Sequence, residues 1–440
     1  MGDLGEESAV IEPEKTTRWE QEQAKKKSVL QEQIQQEILR EMDREHFVSD
    51  EEIWDVIQMR VLKTGQEIYL SIEEKQELIR RIFNSLRKLD VLQEILEDEE
   101  ITEIMVNGHE HIFVEKEGRL MRYPSQFSSR RKLEDVVQQI VGKMNRMVNE
   151  ANPIVDVRLE DGSRVNAVLP PVALNGPILT IRKFPAEPIT MDKLILIGSV
   201  TEVAAAFLQS LVRAGFNIFI SGGTGSGKTT FLNALSNAIP KEERVITIED
   251  SAELQIQGIE NLVKLEARNA NLEGKNAVTI RDLIKSALRM RPDRIILGEV
   301  RDAAACELLS AMNTGHDGSL STGHAGSPGD MLNRLETLVL MGMDIPLEAV
   351  RSQIASAIDI VVQLGRLRDK SRRVLEVDEV LDVRDGRIRL NPIYTFQEKG
   401  EDESGRIMGQ LIWSGNEIQN QGKLQLAGIA VDYREVGECS

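Results

Sequence analysis

The run Ser221-Gly222-Gly223-Thr224-Gly225-Ser226-Gly227-Lys228-Thr229-Thr230 limits what this chain can fold into more than any other stretch. It fits G-x-x-x-x-G-K-[ST], a phosphate-binding loop. Gly222, Gly223, Gly225 and Gly227 let the backbone turn its N–H groups inward without a Cβ in the way, which makes a concave anion nest. Lys228 adds a point charge for β- and γ-phosphates, and the Thr229 hydroxyl is placed to ligate Mg²⁺. The binding stretch as a whole comprises Gly222, Gly223, Thr224, Gly225, Ser226, Gly227, Lys228, Thr229 and Thr230. Phe216 to Ile220 before it reads as a buried strand, and Phe231 to Ile239 after it as a helix whose dipole adds to the site. The motif predicts a nucleoside triphosphate such as ATP with Mg²⁺. By itself it does not say that the nucleotide is hydrolysed.

A length of 440 residues predicts two or three domains. Only 4% of the residues are aromatic, so the cores should be aliphatic. The net charge of −18 argues against non-specific tracking of nucleic acid, which needs a basic field. Cys306 and Cys439 lie far apart and form no metal or redox motif, which fits a reducing compartment. No apolar run of eighteen residues exists, and the N-terminus is acidic and polar, so neither a membrane span nor a signal peptide is expected.

Residues 1–18 are acidic with almost no large apolar groups and read as disordered. A helical extension is expected over 19–91. Leu30, Ile34, Ile38 and Met42 recur every four residues on one face. Ser49-Asp50-Glu51-Glu52 has the pattern of a capping box, and the helix it starts should carry Ile53, Trp54, Ile57 and Val61 inward. Residues 92–184 alternate strands, turns and one helix and predict a small α/β domain; 185–199, with Pro185 and Pro188, reads as a linker. Over 200–395 helices and strands alternate, which predicts a parallel sheet. Residues 396–440 look like a surface appendage.

In open α/β sheets ligands bind at the carboxyl ends of strands. Three such ends carry acids or a histidine: Glu249-Asp250 with Glu253 just beyond, Glu299, and His324. A metal-dependent NTPase needs a carboxylate near Mg²⁺ and a group that deprotonates or orients water. Glu253 and Glu299 are the candidates for both. Gly298 stands where many phosphate-loop ATPases have a Mg²⁺-coordinating Asp, so Glu299 must act alone or through water. The loop itself contains no arginine to stabilise a transferring phosphoryl group. Arg164 and Arg182 in the 92–184 domain are the candidates, with Arg158 a weaker third. His109 and His111 flank Glu110 in a predicted hairpin and read as alternating surface residues rather than a metal site.

Taken together, five segments resemble the secretion ATPase superfamily of type II and type IV secretion and type IV pili. They are the phosphate loop, Thr247-Ile248-Glu249-Asp250-Ser251-Ala252-Glu253-Leu254, Leu288-Arg289-Met290-Arg291-Pro292-Asp293-Arg294-Ile295, Gly298-Glu299-Val300-Arg301 and Thr314-Gly315-His316-Asp317-Gly318-Ser319. Ile104-Met105-Val106-Asn107-Gly108, Asp161-Gly162-Ser163-Arg164-Val165-Asn166-Ala167 and Gln363-Leu364-Gly365-Arg366-Leu367-Arg368-Asp369 make the closest resemblance the Tad (tight adherence, Flp pilus) assembly ATPase of the CpaF type. The likeness covers roughly residues 90–395.

The resemblance implies a RecA-like ATPase domain beside the smaller N-terminal α/β domain, working as a homohexamer. It places Glu253 at a catalytic glutamate, makes Gly298-Glu299 an atypical Walker B with Glu299 and Thr229 serving Mg²⁺, and puts His324 in a His box that starts at His316. Gly323 departs from the bulkier residue usual before that histidine. Lys228 would hold phosphates, and Arg164 and Arg182 would approach them as the domains close about 185–199. Hydrolysis would then drive inner-membrane platform proteins from the cytoplasm, the ATPase being attached peripherally through those partners. A conjugation or type IV secretion ATPase, a non-hydrolysing nucleotide switch and a nucleic-acid motor remain as other readings. The acidic balance disfavours the last.

Overall fold

The structure is a computed structural model and describes residues 29–31, 33–40, 49–64, 70–116, 118–144, 146–184, 188–268 and 276–433. The chain divides into two compact units between Phe184 and Pro185.

The first unit has two cores. In the helical one, Leu30, Ile34 and Ile38 pack with Ile53, Ile57 and Val61 from the helix Asp50–Thr64 and with Ile79, Ile82 and Phe83 from the helix Ile72–Arg87. Met42, expected on the same stripe, lies outside the described residues, as does the stretch 1–18. The capping box forms: Ser49 N–H donates to Glu52 and Glu52 N–H to the Ser49 hydroxyl. Trp54 differs from expectation. It is 39% exposed and rests edge-on against Phe83, with 5.1 Å between ring centroids. It adjoins Ile53, whose side chain fills the buried face, so the bulkier indole is left at the rim.

The second core lies between the helix Arg130–Lys143 and a six-stranded antiparallel sheet. In chain order its strands are β1 (Ile101–Asn107), β2 (Ile112–Lys116), β3 (Arg119–Arg122), β4 (Ile154–Arg158), β5 (Arg164–Val168) and β6 (Ile178–Arg182), arranged β3-β2-β1-β6-β5-β4. Alternation decides which face is buried: Val157, Val165, Ile181 and Ile104 pair across four strands on the core side.

The second unit is built on a nine-stranded sheet. Its strands are β7 (Ile218–Gly222), β8 (Val245–Glu249), β9 (Leu262–Glu266), β10 (Arg294–Leu297), β11 (Leu320–Gly323), β12 (Ile360–Arg366), β13 (Arg372–Arg384), β14 (Arg387–Glu401) and β15 (Ile407–Trp413). The order is β15-β14-β13-β12-β7-β11-β10-β8-β9. From β12 to β9 every pairing is parallel, and from β12 outward to β15 every pairing is antiparallel. β7 and β8 are buried throughout, as strands covered on both faces must be. This is the α/β architecture the alternating pattern predicts, extended by an antiparallel meander.

Two stretches differ from the sequence reading. The second half of the expected linker is folded: Thr190 caps the helix Met191–Leu196, whose Met191 and Leu194 enter the core of the second unit. The following Ser199 is tied to β13 through its hydroxyl, which donates to Arg372 O at 2.7 Å. The stretch after 396 is no surface appendage over its described length. β14 continues to Glu401, β15 pairs with it, and Tyr433 stacks on Trp413 and tilts against Phe207. The buried Glu379 carboxylate accepts the N–H groups of Gln419 and Asn420 and so pins the tail to the sheet.

Candidate functional site

Parallel pairing puts the carboxyl ends of β7, β8, β10 and β11 on one edge of the sheet. Gly222, Glu249, Gly298-Glu299 and His324 therefore lie together by topology alone. β7 turns into the loop at Gly222. Gly225 and Gly227 take φ of 72° and 91°, which L side chains rarely adopt. The helix Lys228–Ser236 begins directly at the lysine, and no side chain caps it. Its first-turn amides are thus left for an anion.

Lys228 is buried, and its Nζ lies 3.0 Å from Gly222 O, 3.0 Å from Gly223 O and 3.2 Å from His324 Nδ1. An ammonium can only donate, so Nδ1 must be the accepting nitrogen. The imidazole proton then sits on Nε2, 3.1 Å from Glu299 Oε1, and donates to it. Burial, and next the Lys228 charge, hold His324 below its ordinary value of 6.5, while Glu299 pulls the other way. The neutral ring required by the hydrogen bonds is the one the electrostatics favour.

Glu299 is half-buried. Burial pushes its carboxyl up, but Arg301, His324 and Lys228 together outweigh it and keep Glu299 below its usual range. Arg301 Nη2 donates to Glu299 Oε2 at 2.7 Å, and Nη1 lies 3.3 Å from Asp250. Glu253 also acts on Arg301 through its charge.

Glu249 has a different task. It is 3% exposed and accepts the N–H of Glu253 at 2.7 Å and that of Leu254 at 3.0 Å. A buried carboxylate bound to two amides fixes the turn that presents Glu253. Asn233, on the helix after the loop, holds the same turn through Glu253 O and Gln255 N–H. The absent side chain at Gly298 also has a reason: a Cβ there would meet Glu249 Cγ at 3.0 Å. Gly323 is explained likewise, because a Cβ there would lie 2.8 Å from Met331 Sδ and 2.9 Å from Phe219 Cε1.

His316 stands at the other end of β11. Its Nδ1 is 3.2 Å from Ala311 O, at the close of the helix Ala304–Asn313. The structure thus brings together Lys228, His324, Glu299, Arg301 and the Glu253 turn, and leaves His316 apart. Thr229 and Thr230 sit in the first turn of the loop helix. Sequence reasoning missed the holding roles of Glu249 and Asn233. The amide-binding role of a strand-end acid has no sequence signature distinct from that of a ligand.

Arg158, Arg164 and Arg182 all belong to the first unit. They form a row across three strands, Arg158 opposite Arg164 and Arg164 opposite Arg182. Arg158 lies over the Phe184 ring at 5.8 Å. Among the described residues no group of three or more His, Cys, Asp or Glu could hold a metal. A Mg²⁺ ion here would need phosphate oxygens beside the protein ligands, which is its usual habit. No helix among the described residues is long and apolar enough to cross a membrane.

The parallel sheet, the glycine-rich turn and the buried lysine define a phosphate-loop nucleotide-binding protein. The model of the family described as "Type II/IV secretion system protein" matches residues 85–410. The chain is 34% identical over 337 residues to the "Putative conjugal transfer protein Rv3659c" of Mycobacterium tuberculosis (strain ATCC 25618 / H37Rv), covering 75% of this chain and 94% of that one. It is 33% identical over 331 residues to "Protein VirB11" of Agrobacterium fabrum, covering 68% and 94%. The solved VirB11 ATPase from the Brucella suis type IV secretion system, in complex with sulphate, is 29% identical over 65% of this chain and 94% of that one, with a TM-score of 0.37. The family match and the two curated relatives place this chain in the type II/IV secretion system protein family.

Proposed function

We propose that this chain hydrolyses ATP, as a homohexamer, to drive a secretion machine in the inner membrane, attached to it from the cytoplasm through partners. The observation that carries the reading is the hydrogen-bonded chain Lys228–His324–Glu299 at the start of the phosphate loop. It links a phosphate-binding cation to a half-buried carboxylate through a neutral imidazole. Lys228 and the loop amides, Gly222 to Thr230, hold the polyphosphate. Thr229 and Glu299 would hold Mg²⁺, which neutralises charge on the β- and γ-phosphate oxygens. Glu299, kept ionised, or Glu253, presented by the Glu249-bound turn, takes the proton of the attacking water.

Arg164 and Arg182 belong to the same reading as the arginines that close on the phosphates. Their register supports it, since Arg164 stands directly opposite Arg182 and neighbours across a strand pair project from the same face of the sheet. The resemblance noted in the sequence favours a Tad/Flp pilus assembly motor, whereas relatives named for conjugal transfer and type IV secretion favour those systems. Recovery of pilus platform proteins, or of a conjugation complex, with the cross-linked chain from membranes would separate the two.

The biochemical core of the reading is tested with Lys228→Ala and Glu299→Gln. Lys228→Ala should lose nucleotide binding. Glu299→Gln should retain binding and lose turnover by about a thousandfold, in line with loss of a group that acts on the reacting centre. Full turnover in either variant sinks the site assignment. Arg164→Ala and Arg182→Ala chains that form intact oligomers and hydrolyse ATP normally would overturn the arginine assignment alone.

A further inference from the structure

The hairpin joining β12 to β13 lies alongside the phosphate loop, and its charges are unevenly used. β12 pairs with β7 in parallel, Leu364 opposite Gly222. β7 ends there, but β12 runs two residues further, to Arg366. Arg372 opens β13 directly across from Arg366. Both arginines are exposed. Arg372 Nε donates to Gly225 O at 2.9 Å, and its Cδ is 3.5 Å from where a Gly227 Cβ would be. Arg366 Nη1 is 3.8 Å from where a Gly225 Cβ would be.

The other two arginines of the hairpin are committed to the fold. Arg368 is paired with Glu398 and Glu401. Arg373 donates to Gly198 O and Ile407 O and lies over the Phe396 ring. Among the described residues no carboxylate pairs with Arg366 or Arg372, although the chain carries 72 acidic residues. Two guanidinium groups facing each other across an antiparallel pair cost stability unless an anion lies between or beside them. Planar guanidinium groups with free edges suit phosphate oxygens in particular.

We propose that Arg366 and Arg372 bind the nucleotide, contacting its α- and β-phosphates at the crest of the loop. Lys228 and His324 serve the loop's start, at Gly222 and Gly223; the two arginines serve Gly225 to Gly227. The inference rests on the nucleotide-site reading above and adds a second cationic wall to it. Because the arginines address the phosphates common to both nucleotides, they set affinity for ADP and ATP alike. Arg372 also acts as a positioning residue through Gly225 O.

The test is titration of the full-length chain with fluorescent ADP and ATP analogues, comparing Arg366→Ala, Arg372→Ala, Arg368→Ala and Lys228→Ala, with thermal unfolding of each. Arg366→Ala is the decisive variant, since among the described residues the Arg366 side chain makes no hydrogen bond whose loss would disturb the fold. Arg366→Ala and Arg372→Ala should weaken both nucleotides about tenfold, as loss of a charge-assisted contact does. Arg368→Ala, which removes an arginine already paired with Glu398 and Glu401, should bind both nucleotides as wild type. Wild-type affinity in Arg366→Ala and Arg372→Ala, with binding lost in Lys228→Ala, overturns the arginine proposal and leaves the nucleotide site standing. Wild-type affinity in Lys228→Ala overturns both.

Discussion

His324 is the residue on which the proposed chemistry turns. It touches both Lys228 and Glu299, as an acceptor toward the first and a donor toward the second. That double role needs the neutral ring with its proton on Nε2. The cause is local, since Lys228 offers only donors and Glu299, held ionised, only acceptors. His324→Ala should therefore reduce turnover by about tenfold to a hundredfold while nucleotide affinity changes little, as loss of a supporting hydrogen-bond partner does. His324→Gln supplies an amide with one acceptor and one donor group and should recover part of that loss. Normal turnover in His324→Ala, measured at saturating ATP, would show that the contact is not used. At this scale the residue types were legible in the sequence: a histidine and two glutamates just past apolar strands. Their partners were not, because a hydrogen bond between Lys228 and a residue 96 positions away has no local sequence signal.

Among the elements, β11 shows how strand packing sets the place of the side chain that follows it. Gly323 was a departure from the family pattern with no evident reason in the sequence. In the fold it makes room for Met331, on the helix Pro328–Gly342, and for Phe219 on β7. Any Cβ at 323 must push one of them, and Phe219 is fully buried. Gly323→Ala should cost about 1–3 kcal/mol in urea unfolding, as overpacking does. Part of that cost should return in the Gly323→Ala, Met331→Ala double variant, because the two sites share one space. Strict additivity of the two substitutions would contradict the packing account. The strands around this point follow from strong local signals: buried apolar runs, a glycine-rich turn and acids at the strand ends. Edge strand β9 carries a weak signal of its own, because only three of its five residues, Leu262, Val263 and Leu265, are apolar and they do not strictly alternate. The meander after Phe396 was misjudged for a related reason. Its strands are polar on one face, and only pairing with β13 and the contacts of Tyr433 reveal what the other face covers.

On the scale of the whole molecule, the chain is two compact units, one carrying the arginine row and the other the phosphate loop. Arginines stand in strand-to-strand register in both units, Arg158, Arg164 and Arg182 in the first and Arg366 and Arg372 in the second, within a chain of net charge −18. The proposed motor needs both units and a ring of copies, so its activity should depend on assembly. The most direct measurement is ATP hydrolysis per chain against protein concentration, with light scattering on the same samples, for wild type and Glu299→Gln. The account predicts that turnover per chain rises as rings form and is lost in Glu299→Gln at every concentration. Nucleotide binding without turnover in any oligomeric state would contradict it and make the chain a nucleotide-controlled scaffold.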